Sequence, residues 1–504
     1  MGFTGNYIGK IENSKQSLWF FIWFWIIVTG IRNVIEPLST GYGWAFRFMA
    51  LYYLWYACMA LLMVTVVHLV TREEPAKVAK VVMSTFILIL LAPLLDLLIT
   101  GGYQMEYFMP HKDDLWERYL NVMFVQKKGP GASIGQRIEI GIILVFSLVY
   151  FIEKTKSFLK SILGLFAVYN LIFILAALPF SLYWISLAIG AKVPSDQTVL
   201  LTKLVLVYLF VALTALFFIW NRSIFVAAIK NLRWLRLGHY WLMLLAGMSL
   251  AGFKAGNMDL AVFLNFMLIC IAIIFAGFYS IVTNDVNDVQ IDKISNPNRP
   301  MVTRTIPKKT YESVARTTLY LALLYSASVN MLSFAVISIV LLNYYIYSAP
   351  PLRLKRYLYV SKFVISINTM LILLLGYGIV NADIFEFPRS IIAFVLIVYT
   401  ACINFIDIKD YEGDKKARIR TVPVVIGLDN SKKVIGVFFV IAYGLFSCSY
   451  GIFHLSMNKQ IFITISLFCG LLEYILITRK KYDEKPVFWV YEFSMMFLIL
   501  LMVR

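Results

Sequence analysis

Residues 284–292 read NDVNDVQID and residues 407–414 read DIKDYEGD. Both stretches carry aspartates at one spacing, Asp-x-x-Asp-x-x-x-Asp: Asp285, Asp288 and Asp292 in the first, then Asp407, Asp410 and Asp414 in the second, 122 residues further on. On a helix turning about 100° per residue, that spacing gathers three carboxylates within roughly a 60° arc. Each set closes a long apolar run. Six carboxylates at the mouth of apolar helices repel one another unless cations are shared among them. The pattern therefore predicts a Mg²⁺-bridged diphosphate site.

The rest of the chain sets those motifs in a membrane. It has 504 residues, of which 61% are hydrophobic and 15% charged, and its mean hydropathy is +0.78. That composition excludes an ordinary soluble domain and predicts an all-α polytopic membrane protein. Runs long enough to cross the bilayer predict six spans near 17–37, 45–70, 79–100, 136–152, 157–188 and 198–220. Nine more are predicted near 239–254, 259–283, 311–329, 331–348, 361–381, 386–406, 433–452, 459–478 and 487–503. The first run lacks a small-residue cleavage pattern and reads as a retained span. Between the two sets lies NRSIFVAAIKNLRWLRLGHY, Asn221 to Tyr240, which reads as a basic amphipathic linker over 221–238. The predicted organisation is thus a six-helix membrane domain over 1–220, the linker, and a nine-helix domain over 239–504.

The net charge of +18 does not point to nucleic acid, because no basic recognition helix or aromatic-basic module accompanies it. In a membrane protein Lys and Arg collect in cytoplasmic loops. A cytoplasmic N-terminus puts Lys154, Lys156 and Lys160, the linker and both aspartate motifs on the cytoplasmic side. The loop from Gly101 to Arg137 resists this alternation, since it falls outside yet carries Lys112, Arg118, Lys127, Lys128 and Arg137. The five cysteines are isolated and show no disulfide or zinc spacing. His68, His111, His239 and His454 are scattered, and each reads as a core or interface histidine.

Charge arithmetic shows what the aspartates need. Six ionised carboxylates, a diphosphate of about −3 and two Mg²⁺ leave about −5. The flanking loops offer Lys293, Arg299 and Arg304 beside the first motif and Lys415, Arg418 and Arg420 beside the second, with Arg353, Lys355 and Arg356 between them. Asn284 reads either as a helix cap or as a further ligand.

Residues from about 230 to 504 resemble the UbiA-type intramembrane polyprenyl transferases. The resemblance rests on nine helices, on Asn284-Asp285…Asp288…Asp292 followed by Asn298-Arg299-Pro300, and on YSAPPLRLKR (Tyr347 to Arg356). It rests also on Asp407…Asp410-Tyr411-Glu412-Gly413-Asp414…Thr421-Val422-Pro423-Val424…Gly427. It implies transfer of an isoprenoid chain from a polyprenyl diphosphate donor to a lipophilic acceptor within membrane lipid, with no nucleic acid. Asp285, Asp288, Asp292, Asp410 and Asp414 would hold Mg²⁺, while Asn284, Tyr347, Lys355 and Asp407 assist. Mg²⁺ and the basic residues would stabilise the departing diphosphate. The allylic cation would lie among aromatic side chains, with Tyr344, Tyr345 and Tyr347 nearest the motifs.

Two positions depart from the family pattern. Arg304 and Arg418 stand where the family usually has glycine, and their paired guanidinium groups suit an anionic acceptor. The alternatives are a UbiA-like terpene cyclase, in which the cation is quenched within its own chain, and a lipid or ion transporter. The first 220 residues resemble no family, although Glu36 and Asp96 border or enter apolar runs in the manner of functional intramembrane acids.

Overall fold

The computed structural model describes the backbone of residues 3–40, 46–102, 116, 119–120, 132–381, 383–448, 450–452 and 457–503. Most of the loop that resisted the charge alternation lies outside the described residues. The described residues form helices and turns, with no strand among them. The protein is an all-helical, integral, multi-pass membrane protein. The chain divides into two compact units, Met1–Arg222 and Ser223–Arg504.

Among the described residues, twelve helices are long and apolar enough to cross a bilayer, against the fifteen spans expected. The difference has a physical reason in each of three further helices. Ile134–Thr155 carries charge at both ends. Trp234–Leu250 is only 17 residues long. Lys308–Ala327 opens on a polar turn, KKTYES. All three nevertheless pack as members of their units, which is what membrane helices facing other helices can do with less apolar surface.

In the first unit the span at 75–100 is not one helix. It runs as Pro75–Thr85, a 3₁₀ stretch Phe86–Leu90 and a helix Leu91–Thr100. Pro93 has no N–H to give the carbonyl of Ile89, so the regular ladder cannot continue through this point. The helix Ile134–Thr155 begins with a capping box in which Ser133 and Gln136 exchange side-chain and backbone bonds. Asp96 holds that start in place, accepting from Ser133 Oγ at 2.5 Å and from the N–H of Gly135 at 2.8 Å.

Among the described residues of the second unit nine long helical segments form the bundle: Trp234–Leu250, Leu260–Asn287, Lys308–Ala327, Met331–Ser348, Leu358–Val380, the composite span Arg389–Asp407, Leu428–Cys448, Lys459–Thr478 and Glu484–Val503. Asp259 and Asn330 cap two of them, accepting from Val262 N and Ser333 N. Two helices touch backbone to backbone. A methyl group at Gly247 would lie 1.9 Å from the carbonyl oxygen of Leu373, and one at Gly376 would lie 2.0 Å from that of Leu244. Only glycine allows helices Trp234–Leu250 and Leu358–Val380 to approach this closely. The stretch expected as a surface linker forms a helix, Arg222–Asn231, whose Ala228 is buried with Val282, Ile306 and Tyr311. The apolar run FVAAI within it accounts for that packing.

The span ending at Asp407 changes winding along its length. An α-helical turn, Arg389–Ala393, gives way to a π-helical segment, Phe394–Tyr399, and the last residues, Ile403–Asp407, are 3₁₀. Widened and tightened turns in one span rotate its final residues away from where a uniform helix would aim them. Phe405 and Ile406 in that end belong to a core with Phe439, Tyr443, Leu476 and Phe488, which anchors it.

Candidate functional site

Both aspartate motifs break their helices at the middle aspartate, so neither triad lies along one arc of a continuous helix. Asp285 is on Leu260–Asn287, Asp288 sits at the break with φ −111° and ψ 11°, and Asp292 is on the short helix Val289–Ser295. The second motif repeats the plan: Asp407 ends its span, Asp410 sits at φ −90° and ψ 3°, and Asp414 is on Tyr411–Lys416. Both middle residues occupy the sparsely populated bridge region, where functional residues recur. The break turns the third carboxylate of each triad back toward the first.

The two short helices meet. A methyl group added at Gly413 would lie 2.1 Å from Ser295 Oγ, so the glycine of the second motif lets the helices come together. Asn296 then links the motifs, its Nδ2 lying 3.2 Å from Asp292 Oδ1 and 3.3 Å from Asp410 Oδ1.

The first motif is well supplied with cations. Arg299 Nη1 bridges Asp285 at 3.0 Å and Asp292 at 2.6 Å. Asp288 takes Arg353 Nη2 at 2.8 Å and also Lys355 Nζ. Arg233 lies 3.8 Å from Asp285, which additionally accepts from Asn231 Nδ2 at 2.7 Å and from the Tyr311 hydroxyl at 3.1 Å. Three carboxylates thus face four cations.

The second motif is not. Lys362 Nζ lies 2.5 Å from Asp407 Oδ1, with both residues buried. Among the described residues no cation pairs with Asp410 or Asp414, and the buried Asp407 Oδ2 has no hydrogen-bond partner. Burial pushes the Asp414 carboxyl up to about 7, with Asp407 and Asp410 adding to the rise. Burial also raises Asp292, to about 6, against the pull of Arg299. Lys355 is lowered by its burial, against the opposing field of Asp288. These shifts are the expected mark of like charges held together out of water.

A divalent cation suits this arrangement. Among the described residues no group of three or more His, Cys, Asp or Glu side chains is gathered closely enough to hold a metal ion by itself. Mg²⁺ does not ask for one, because it keeps waters and takes one or two carboxylates together with phosphate oxygens. The under-compensated oxygens of Asp407, Asp410 and Asp414 are hard ligands of the required kind.

The remaining residues singled out from sequence divide into two groups. Asn284 is no cap, since its helix runs on to Asn287; its Oδ1 accepts from Ser348 Oγ at 3.4 Å. Tyr347 lies within the electrostatic reach of Lys362, Asp407 and Asp288, and Lys355 is buried against Asp288. The other five stand outside the cluster. Lys293 is exposed and bonds Gln290, and Lys415 lies over the Tyr411 ring at 5.4 Å. Arg304, Arg418 and Arg420 are exposed and form no ion pair with the six aspartates among the described residues. Arg304 and Arg418 both have φ +57°, the left-handed conformation that glycine takes without strain.

Sequence reasoning passed over Asn231, Arg233, Asn296 and Tyr311 and gave Lys362 no role. Asn296 carried a signal, standing four residues after Asp292, one helical turn away. The others come from distant segments and had none.

Beneath the aspartates lies an aromatic layer. His239, 4% exposed, is held by Thr369 Oγ1 at 3.1 Å, Tyr399 at 3.2 Å and Tyr491 at 2.9 Å. A cavity of about 130 Å³ runs on from this layer among Thr369, Tyr399, Phe439, Tyr491, Leu498 and Met502. Tyr344 bonds Tyr240 in the same layer, whereas Tyr345 is 45% exposed and turns away.

Comparison with known proteins bears on this second unit. A sequence model of the UbiA prenyltransferase family matches residues 240–501. Digeranylgeranylglyceryl phosphate synthase of Methanocaldococcus jannaschii is 26% identical over 164 residues, 32% of this chain and 56% of that protein. The enzyme of the same name from Sulfolobus acidocaldarius is 30% identical over 166 residues, again 32% and 56%. The chain therefore spans little more than half the length of these relatives. A solved UbiA homologue from Archaeoglobus fulgidus, bound to GPP and Mg²⁺, overlays 55% of this chain and 98% of its own, with 19% identity and a TM-score of 0.45.

Proposed function

Since the chain belongs to the UbiA prenyltransferase family, we propose that its second unit transfers a polyprenyl group from a polyprenyl diphosphate to a lipophilic acceptor in the membrane, with Mg²⁺ as cofactor. The observation that carries this reading is the pairing of two aspartate triads of one backbone plan, joined through Asn296. One triad is rich in cations and the other open to them.

The division of charge suggests a division of labour. Arg299, Arg353 and Lys355 are the cations positioned to follow the negative charge of a diphosphate, and each is held in place by an aspartate until then. Asp407, Asp410 and Asp414 offer the oxygens that would hold Mg²⁺. Mg²⁺ held by these oxygens would supply positive charge to a leaving diphosphate. Lys362 keeps Asp407 fixed in apolar surroundings. The layer of Tyr240, Tyr344, Tyr399 and Tyr491 excludes water and turns aromatic faces toward the developing cation. The cavity beyond it has the apolar lining that the donor's tail would need.

Arg304 and Arg418 suit an acceptor that bears an anionic group, as the names of the relatives suggest for those enzymes. Both aspartate motifs are assigned to the cytoplasmic side, in keeping with their basic flanks. The test is turnover of a labelled polyprenyl diphosphate by the purified protein with lipid extract, with and without Mg²⁺. Metal-dependent appearance of the label in an acceptor-linked product is expected. Release of hydrocarbon or alcohol without an acceptor would replace transfer by cyclisation, and no metal-dependent consumption of the donor would overturn the reading.

A further inference from the structure

The cavity of the second unit has a mainly apolar wall, yet five hydroxyl-bearing residues line it: Thr369, Tyr399, Tyr443, Tyr491 and Ser494. All five hydroxyls are engaged within the wall. Tyr443 pairs with Ser494 Oγ at 2.7 Å, and Ser494 donates on to the carbonyl oxygen of Tyr491 at 2.7 Å. The other three meet at His239, Tyr491 at Nδ1 and both Tyr399 and Thr369 at Nε2. Thr369 also donates to the carbonyl oxygen of Ile365 at 3.2 Å. His239 itself does not line the cavity. It is stacked on Tyr399, with ring centroids 5.4 Å apart and planes 2° from parallel.

Packing alone gives no reason for this hub. Phenylalanine at 399 and 491 with leucine at 239 would line the same space and leave fewer polar atoms to satisfy, whereas a buried polar network is secure only when every member has its partner. Tyrosine brings what phenylalanine lacks, because its hydroxyl oxygen feeds electron density into the ring and strengthens the face that a cation meets. The same hydroxyl carries a hazard. A buried water settles where it finds about three polar partners, and Thr369, Tyr399 and Tyr491, close enough to share one histidine, would supply that number if released. A cavity of about 130 Å³ has room for it.

We infer that His239 is a positioning residue that keeps this cavity dry. A neutral imidazole has one ring nitrogen that donates and one that accepts, and the two hold the hydroxyls of Thr369, Tyr399 and Tyr491 in the wall. The cavity is left with aromatic faces and no seat for water. Under the transferase reading this decides the fate of the allylic carbon. When the C–O bond of the donor breaks, its electron pair leaves with the diphosphate. In a dry cavity the acceptor bonds to the carbon and gives up a proton. In a wet one water does so instead, its oxygen forming the new bond and its proton passing to the diphosphate, and the product is the free prenyl alcohol. That consequence rests on prenyl transfer; the dryness does not.

Two measurements on the full chain in lipid nanodiscs test this, and the first needs no turnover. Cys402 lines the cavity and is 5% exposed. Methyl methanethiosulfonate hands its methylthio group to a thiolate and releases methanesulfinate, so it needs water at the sulfur. Peptide mass spectrometry should find Cys402 protected in the wild type and modified at least about tenfold faster in His239→Phe, the scale on which thiol reactivity follows its surroundings. His239→Gln keeps a donor and an acceptor and should stay near wild type. His239→Phe combined with Tyr399→Phe and Tyr491→Phe removes the released phenol hydroxyls as well, and should protect Cys402 again, which lost packing would not do. Melting curves show which variants are folded, and His239→Leu serves where His239→Phe is not. The second measurement uses geranylgeranyl diphosphate labelled at C1, with Mg²⁺ and lipid extract. The ratio of prenyl alcohol to acceptor-linked product should rise at least about tenfold in His239→Phe and return to within about twofold of wild type in the triple variant. Equal reactivity of Cys402 in the wild type and in folded His239→Phe would overturn the proposal, as would a triple variant as reactive as His239→Phe. An unchanged product ratio where Cys402 has become reactive would overturn its role in the reaction. A wild type that never consumes the diphosphate ends the transferase reading and leaves the thiol measurement to decide.

Discussion

Asn296 donates across to Asp410 from a different helix and a different motif, 3.3 Å away, while the same nitrogen lies 3.2 Å from Asp292. One neutral amide therefore fixes the distance between two carboxylates that would otherwise repel. Asn296→Ala should leave the helices packed, because Gly413 and Ser295 still meet, but should free the motifs to separate. Two bonds to charged acceptors are lost, and at about 1.5–3 kcal/mol for one such bond kcat/KM for the diphosphate should fall at least about tenfold. Steady-state kinetics with a melting curve checks this; an unchanged kcat/KM would remove Asn296 from the positioning role.

The middle aspartates should differ in stability although both are needed for turnover. Asp288→Asn leaves Lys355 and Arg353 without their shared carboxylate, and breaking a buried pair costs about 3–5 kcal/mol. Asp410 has no ion pair among the described residues, so Asp410→Asn should melt near wild type. Both should lose at least about nine-tenths of turnover, the effect of a weakened metal site. More than a tenth of wild-type rate in Asp410→Asn, with Mg²⁺ affinity intact, would be incompatible with its place as a ligand.

Arg304 and Arg418 give a prediction with two signs. Each holds φ +57°, which costs a non-glycine residue roughly 1–2 kcal/mol. Replacing both by glycine should raise the melting temperature or leave it level, because relief of strain offsets the greater freedom of the unfolded chain. If their guanidinium groups read an anion on the acceptor, KM for the acceptor rises in the same protein while diphosphate affinity stays. An unchanged acceptor KM would leave them as determinants of topology.

Divalent binding should depend on pH near neutrality. Asp414 is raised to about 7 and Asp292 to about 6, each chiefly by burial. A metal competes with the proton for these oxygens. Affinity is therefore full above the higher value and falls as pH drops through 7 and then 6. Calorimetric titration with Mg²⁺ between about pH 5.5 and 8 follows this, and Asp414→Asn should remove the upper step while leaving the lower one. A flat profile in the wild type would mean that neither carboxylate meets the metal.

The sequence made legible whatever is local. The spacing of Asp285, Asp288 and Asp292, its repeat at Asp407, Asp410 and Asp414, and the apolar runs before them need only a few neighbouring residues to be read. The helix breaks at Asp288 and Asp410 were not legible, because neither position carries proline or glycine; the backbone turns there to bring the third carboxylate back. Nor were the partners of Asp285. Asn231 and Tyr311 reach it from segments 54 and 26 residues away, and such pairings follow from how helices pack rather than from their composition. Basic residues near a motif proved a weak guide: Arg299 enters the cluster, while Lys293, only one position beyond Asp292, points out to Gln290. The interruption around Pro93 was readable in principle, since proline within an apolar run cannot leave the ladder whole; the bond that Arg32 donates to the freed carbonyl oxygen of Ile89 was not.

The contact of Gly247 with Leu373 and of Gly376 with Leu244 leaves genetics little room. A mutation that enlarges a side chain in a core is ordinarily rescued by a second that shrinks its neighbour. Here the neighbour is a peptide carbonyl, which no codon change can make smaller. Second-site suppressors of Gly247→Ala or Gly376→Ala must therefore arise elsewhere, at positions that let a whole helix slide, and a suppressor screen would chart which helices of this bundle are able to move.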